Sequence, residues 1–105
     1  TELCLMHMDD LGKVGWKLGE IKVCTSYLYN QSNSWPITID YVPIDSENCE
    51  PIYKSFKGGW DTSECNDYDS LPQPAKNFIE FIEEYLAIPV MYIGIGPDIH
   101  DIIIK

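Results

Sequence analysis

Residues 71–105 read LPQPAKNFIEFIEEYLAIPVMYIGIGPDIHDIIIK, and this stretch decides the fold class. Pro72 and Pro74 stand where a helix begins, with Ser70 placed to cap it. From Ala75, the apolar residues Phe78, Ile79, Ile82 and Leu86 follow at offsets of 3, 4, 7 and 11, which is one face of a helix. Lys76, Asn77, Glu80, Glu83 and Glu84 take the other face and read as a solvated surface. Pro89 stops the helix, because proline has no N–H to donate and disfavours a helical residue before it. Val90, Met91, Tyr92 and Ile93 then form an apolar run without alternation, the pattern of a strand covered on both faces. Gly94-Ile95-Gly96-Pro97-Asp98 breaks that run, and a last short strand closes the chain. A turn so poor in side chains at the end of a strand lets a ligand reach backbone N–H and C=O groups.

Working outward, 105 residues bound the chain to one domain with a modest core. With 45% hydrophobic residues it should fold. A net charge of −10 argues against nucleic acid and against an anionic membrane, since both need a basic surface. No apolar run approaches the roughly 20 residues of a membrane span, and no signal-peptide pattern opens the chain. Cys4, Cys24, Cys49 and Cys65 form no Cys-x-x-Cys pair. Cys4 and Cys24 lie in apolar strand-like runs, so reduced, structural thiols in the cytosol are expected, and the localisation read from them is cytoplasmic.

Leu3-Cys4-Leu5-Met6, with Met8, reads as a buried strand ending at His7-Met8-Asp9-Asp10. A domain rarely opens on a core strand, so the chain reads as starting inside a longer one. Residues 12–19, GKVGWKLG, have three glycines in eight positions and read as a loop. Residues 20–29, EIKVCTSYLY, alternate as a strand. Residues 30–34 read as a turn and 35–42 as the returning strand of a hairpin. Residues 43–50 read as loop and 51–56 as a further strand. Residues 57–70 carry Asp61, Glu64, Asp67 and Asp69 and read as an exposed acidic excursion. The fold class expected is α/β, a fragment of a mixed sheet with an antiparallel hairpin and one amphipathic helix.

Chemistry concentrates at Asp9. A carboxylate at a strand end accepts hydrogen bonds from a ligand that presents two adjacent donors. Guanine presents N1–H and its 2-amino group, whereas adenine has an acceptor at N1 and no 2-amino group, so an aspartate there would select guanine. The plainer reading is a turn or cap aspartate, and the local sequence favours it. His7 and His100 have no nucleophile or carboxylate at a motif spacing. Asp98, His100 and Asp101 are explained by a tight turn better than by a metal site. No G-x-x-x-x-G-K-[ST] phosphate loop is present.

Taken together in order and spacing, these segments resemble the C-terminal region of adenylosuccinate synthetase. The carriers are Leu3-Cys4-Leu5-Met6-His7-Met8-Asp9, Glu20-Ile21-Lys22-Val23-Cys24 with Tyr27, Glu50-Pro51-Ile52-Tyr53, Gly59-Trp60, the helix from Leu71 to Glu83, Pro89-Val90, and Gly96-Pro97-Asp98. The resemblance implies part of a larger P-loop-like ligase fold: a GTP-dependent enzyme that joins IMP and L-aspartate in AMP synthesis, uses Mg²⁺, and works as a homodimer when full-length. It implies that Asp9 takes the guanine N1–H and 2-amino group, with His7 and Met8 beside it, and that Gly94, Ile95 and Gly96 form the other wall. It reverses the local preference at Asp9. His7 stands where the family has lysine, residues 12–19 look longer than the family's loop, and Gly58 replaces a proline. The phosphate loop, the catalytic aspartate and histidine, and the Mg²⁺ ligands belong to other parts of the family's chain. The segment alone is therefore expected to be catalytically silent. The competing expectation is a stand-alone acidic binding or regulatory module.

Overall fold

The computed structural model describes residues 1–31, 33–42 and 46–105, and the chain divides into two compact units, Thr1–Ile21 with Phe56–Lys105, and Lys22–Ser55. Its elements in order are β1 (Leu3–Leu5), α1 (Met8–Leu18), β2 (Glu20–Tyr29), β3 (Ile37–Ile39), a single 3-10 turn (Ser46–Asn48), β4 (Cys49–Lys57), α2 (Gln73–Leu86), β5 (Val90–Gly94) and β6 (Ile102–Ile104). Among the described residues the fold is mixed α/β as expected, with two small sheets and two helices where one helix was expected.

The second helix is the main correction. Residues 12–19 are not a loop; all but Gly19 lie in α1. Met8, Leu11, Gly12 and Gly15 fall on one helical face, and Met8, Gly12 and Gly15 are buried there. Two of the three glycines serve close approach. A Cβ on Gly15 would stand 2.4 Å from the Gly58 Cα, and one on Gly12 2.4 Å from the Trp60 carbonyl oxygen. Only Gly19 acts as a helix stop, at φ +78°, with its N–H on the Gly15 carbonyl at 2.7 Å.

In the first unit, β1 runs parallel to β5, and β6 runs antiparallel on the other side of β5. The register aligns Leu5, Ile93 and Ile103 in one row and Cys4, Tyr92 and Ile104 in the next. The first row faces the core, with Ile93 and Ile103 buried. In the second, Tyr92 and Ile104 are exposed, although Val90 and Gly94 on the same face of β5 as Tyr92 are buried, so that face is covered at the strand's ends and open at its middle; Cys4 is exposed, as is Cys24. The core is completed by Met8, Ile21, Trp60, Leu71, Ala75, Phe78, Ile79 and Val90. Phe56 meets Phe78 edge-on at 5.4 Å between centroids and Phe81 at 4.9 Å.

Helix α2 keeps the expected buried stripe at Ala75, Phe78 and Ile79, while Leu86 at its end is exposed. Ser70 is not its cap. The hydroxyl of Ser70 instead accepts the N–H groups of Asn66 and Asp67, at 3.1 and 3.2 Å, and donates to the Asp67 carbonyl. Pro72 occupies the N-cap position, and its carbonyl takes the Lys76 N–H at 3.1 Å. Nor is residue 57–70 simply an exposed excursion: its four acids point outward, but Trp60, Thr62 and, in part, Cys65 anchor it.

Glu83, expected on a solvated face, ties the end of the unit together. One of its carboxylate oxygens takes the Val90 N–H at 2.9 Å and the other pairs with the Lys105 ammonium. Burial pushes the Glu83 carboxyl upward, but the bonds from Lys105 and Val90 outweigh it and hold the group below the ordinary value of 4.5. A carboxyl depressed by folding adds stability above its ordinary range, and that stability is lost as pH falls through its lowered value. Glu83→Gln should therefore cost about 1–2 kcal/mol at neutral pH, with variant and parent converging in acid. Urea unfolding at pH 7 and pH 3 reads this. An equal gap at both pH values would show that the loss came from packing.

In the Lys22–Ser55 unit, β2 pairs antiparallel with β3, matching Tyr27 to Ile39 and Tyr29 to Ile37, so the expected hairpin is present with a return strand shorter than 35–42. The sheet order is β3-β2-β4. The Asn30 N–H closes onto the Asn48 carbonyl at 2.8 Å, and the Lys22 ammonium lies over the Tyr53 ring. Of the expected turn and loop, Ser32 and residues 43–45 lie outside the described residues.

Candidate functional site

A cleft of about 600 Å³ opens in the first unit, between three stretches that the fold draws together. Asp9, Lys13 and Trp16 come from one face of α1; Trp60, Asp61, Thr62, Ser63, Cys65 and Asn66 come from the loop after β4; Ile95, Gly96, Pro97 and Asp101 come from the turn between β5 and β6. Asp9 sits in the first turn of α1 rather than at a strand end, because the chain enters the helix at Met8.

The turn wall is held by its own hydrogen bonds. The Asp101 carbonyl takes the Ile95 N–H at 2.8 Å, and its carboxylate takes the Asp98 N–H at 3.0 Å. Asp98 in turn accepts the His100 N–H, so these polar residues build a tight turn, as expected. Thr62, only 2% exposed, donates its hydroxyl to the Ile95 carbonyl at 2.8 Å and so fastens the loop wall to the turn wall. A buried hydroxyl without this acceptor would be costly, which fixes the pair.

The loop wall is fastened to α1 as well. The buried Trp60 donates Nε1–H to the Met8 carbonyl at 2.7 Å, and the Gly59 N–H reaches the Gly12 carbonyl at 3.1 Å. Asp61 accepts the Ser63 N–H at 2.9 Å. That bond, a further one from the Ser63 side chain, and the nearby Lys13 charge lower the Asp61 carboxyl below its ordinary value. Burial pushes the Cys65 thiol up from its ordinary value.

Of the six residues expected to contact a base, the structure brings Asp9, Ile95 and Gly96 to the cleft. His7 does not line it. His7 occupies the position before α1 at φ 62° with a largely exposed ring, its Nδ1 3.0 Å from an Asp10 carboxylate oxygen. Met8 is fully buried and offers only its carbonyl, to Trp60. Gly94 is buried at the end of β5, opposite Ile102. Lys13, Trp16, Thr62 and Ser63 were not anticipated. The signal available was the spacing of 9, 13 and 16, which is one helix face once 12–19 is read as helix. Among the described residues, no group of three or more His, Cys, Asp or Glu side chains could hold a metal ion. No helix of the described residues is long and apolar enough to cross a membrane.

The family model for adenylosuccinate synthetase matches residues 1–103. The adenylosuccinate synthetase of Wolinella succinogenes is 41% identical over 102 residues, covering 96% of this chain and 22% of that protein. That of Plasmodium falciparum is 38% identical over 93 residues, covering 84% of this chain and 21% of that protein. The solved structure of the fully ligated Plasmodium falciparum adenylosuccinate synthetase superposes with a TM-score of 0.78 at 35% identity, over 97% of this chain and 24% of that one. The chain thus spans about a fifth of the relatives' length. That share states how much of the relatives is matched and not which part, so a C-terminal placement does not follow from it.

Proposed function

Because the chain belongs to the adenylosuccinate synthetase family, we propose that it supplies the guanine-recognising wall of a GTP-dependent ligase joining IMP and L-aspartate into adenylosuccinate. The observation that carries this reading is that Asp9 shares one cleft with Ile95 and Gly96. Asp9 offers two acceptor oxygens and no donor, which matches the N1–H and 2-amino pair of guanine and leaves adenine without a partner. The opposite wall needs no rearrangement to receive a base, since Thr62 and Asp101 already hold Ile95 in place. Gly96 has no side chain between the base and the Asp101 carboxylate, where a Cβ would come within 2.5 Å.

The groups that handle phosphate, Mg²⁺, IMP and L-aspartate belong to the rest of the longer synthetase. This segment binds and orients the base; positioning the triphosphate for transfer is the work of the other parts. By itself it is silent in catalysis.

The test is Asp9→Asn in the full-length synthetase that carries this segment. An amide presents one acceptor where the carboxylate presents two, and its NH₂ faces a ligand donor. The KM for GTP should rise roughly 10- to 100-fold, as loss of a charged hydrogen bond implies. The KM for ITP, which lacks the 2-amino group, should rise less, so the preference for GTP narrows. An unchanged GTP-to-ITP ratio would remove Asp9 from base recognition.

A further inference from the structure

We infer that Trp16 is the stacking plate of this base site, setting how tightly a purine triphosphate is held and not which purine is chosen. The inference rests on the guanine reading above. Trp16 is 71% exposed, and an exposed indole alone means little. It also lines the same cleft as Asp9 and Lys13. Positions 9, 13 and 16 fall on one face of α1, so the indole shares the helix face that carries Asp9.

A flat base has an edge and two faces, and Asp9 can serve only the edge. The cleft holds two aromatic side chains. Trp60 is engaged: it is 4% exposed, its Nε1 is on the Met8 carbonyl, and its ring lies 6.1 Å from that of Phe78. Trp16 is the one with a face to offer. It lies beside Gly59, near enough that a Cβ built there would come to 3.8 Å from its Cδ1.

Stacking is indifferent to the hydrogen-bonding edge, because every base has a π face. That separates the two residues in one experiment on the full-length synthetase. Trp16→Ala should raise the KM for GTP and for ITP by the same factor, about tenfold, with the KM for IMP unchanged. Trp16→Phe should recover most of that loss, since it restores a ring without restoring the indole N–H. Asp9→Asn, run alongside, should act on GTP more than on ITP. If Trp16→Ala leaves both nucleotide KM values within twofold of the parent while Asp9→Asn raises that for GTP, the plate is refuted and the base site stands. If neither variant moves them, the base site itself is refuted and the plate with it. A matching rise in the KM for IMP would mark a general disturbance of the fold and would also overturn the inference.

Discussion

Gly15→Ala is expected to destabilise the Thr1–Ile21, Phe56–Lys105 unit by about 3 kcal/mol, the upper end of what overpacking costs. Two effects of opposite sign compete. Alanine is the better helix former by about 0.5–1 kcal/mol, so an exposed glycine in mid-helix would gain from the change. Gly15 is not exposed, and its would-be Cβ stands 2.4 Å from the Gly58 Cα and 2.6 Å from the Gly59 nitrogen. Both are backbone atoms, so no rotamer change relieves the collision; the loop must move off the helix. Moving it breaks the 3.1 Å bond from the Gly59 N–H to the Gly12 carbonyl and strains that from Trp60 to Met8. The steric term wins by a margin of several RT. Urea unfolding gives the answer directly, and a stabilised or neutral variant would mean that α1 and the loop do not touch as described.

Trp60→Ala is expected to cost about 4 kcal/mol, within the range for removing a large buried aromatic side chain. The ring is 4% exposed between α1 and α2, lying against Phe78 at 6.1 Å and under Gly12. No neighbour can fill its volume without parting the two helices. The polar share is separable. Trp60→Phe keeps much of the apolar body and removes the Nε1–H donor to the Met8 carbonyl, so it should cost about 1–2 kcal/mol. The same unfolding assay ranks them, and a loss from Trp60→Phe as large as that from Trp60→Ala would place the energy in the hydrogen bond rather than in the packing.

Both predictions concern contacts made by α1, the element that was hardest to read from sequence. β2 was legible to its bounds, Glu20–Tyr29, because β-branched and aromatic residues alternate there without interruption. The stripe of α2 and the turn at 94–98 were legible for similar local reasons. Helix α1 was not, because glycine was weighed by its backbone freedom. At Gly12 and Gly15 the decisive property is the absence of a side chain, and that shows only when a second backbone, here residues 58–60, is laid against them. Counted as interior residues, Met8, Leu11, Gly12 and Gly15 already keep helical spacing. The misreading passed to the site. A strand ending at Asp9 puts His7 and Met8 beside it; a helix starting at Met8 buries Met8, turns His7 outward and brings Lys13 and Trp16 round instead. Thr62 was lost among four surface acids, since nothing local says that one hydroxyl in an acidic segment is buried.

The contact between Gly15 and Gly58 also bears on recognition. The chain that meets α1 at residues 58–60 continues directly into the opposite cleft wall, 61–66, which Thr62 fastens to the turn at Ile95. The width of the cleft is thereby set by two backbones in contact and a buried hydroxyl, not by long side chains that must be frozen when a ligand enters. Ordering each rotamer-rich side chain at an interface forfeits roughly 0.5–1.5 kcal/mol. A pocket gauged by glycines has little of that disorder to lose in its frame, and the ordering cost falls on the exposed Lys13 and Trp16 side chains that line it.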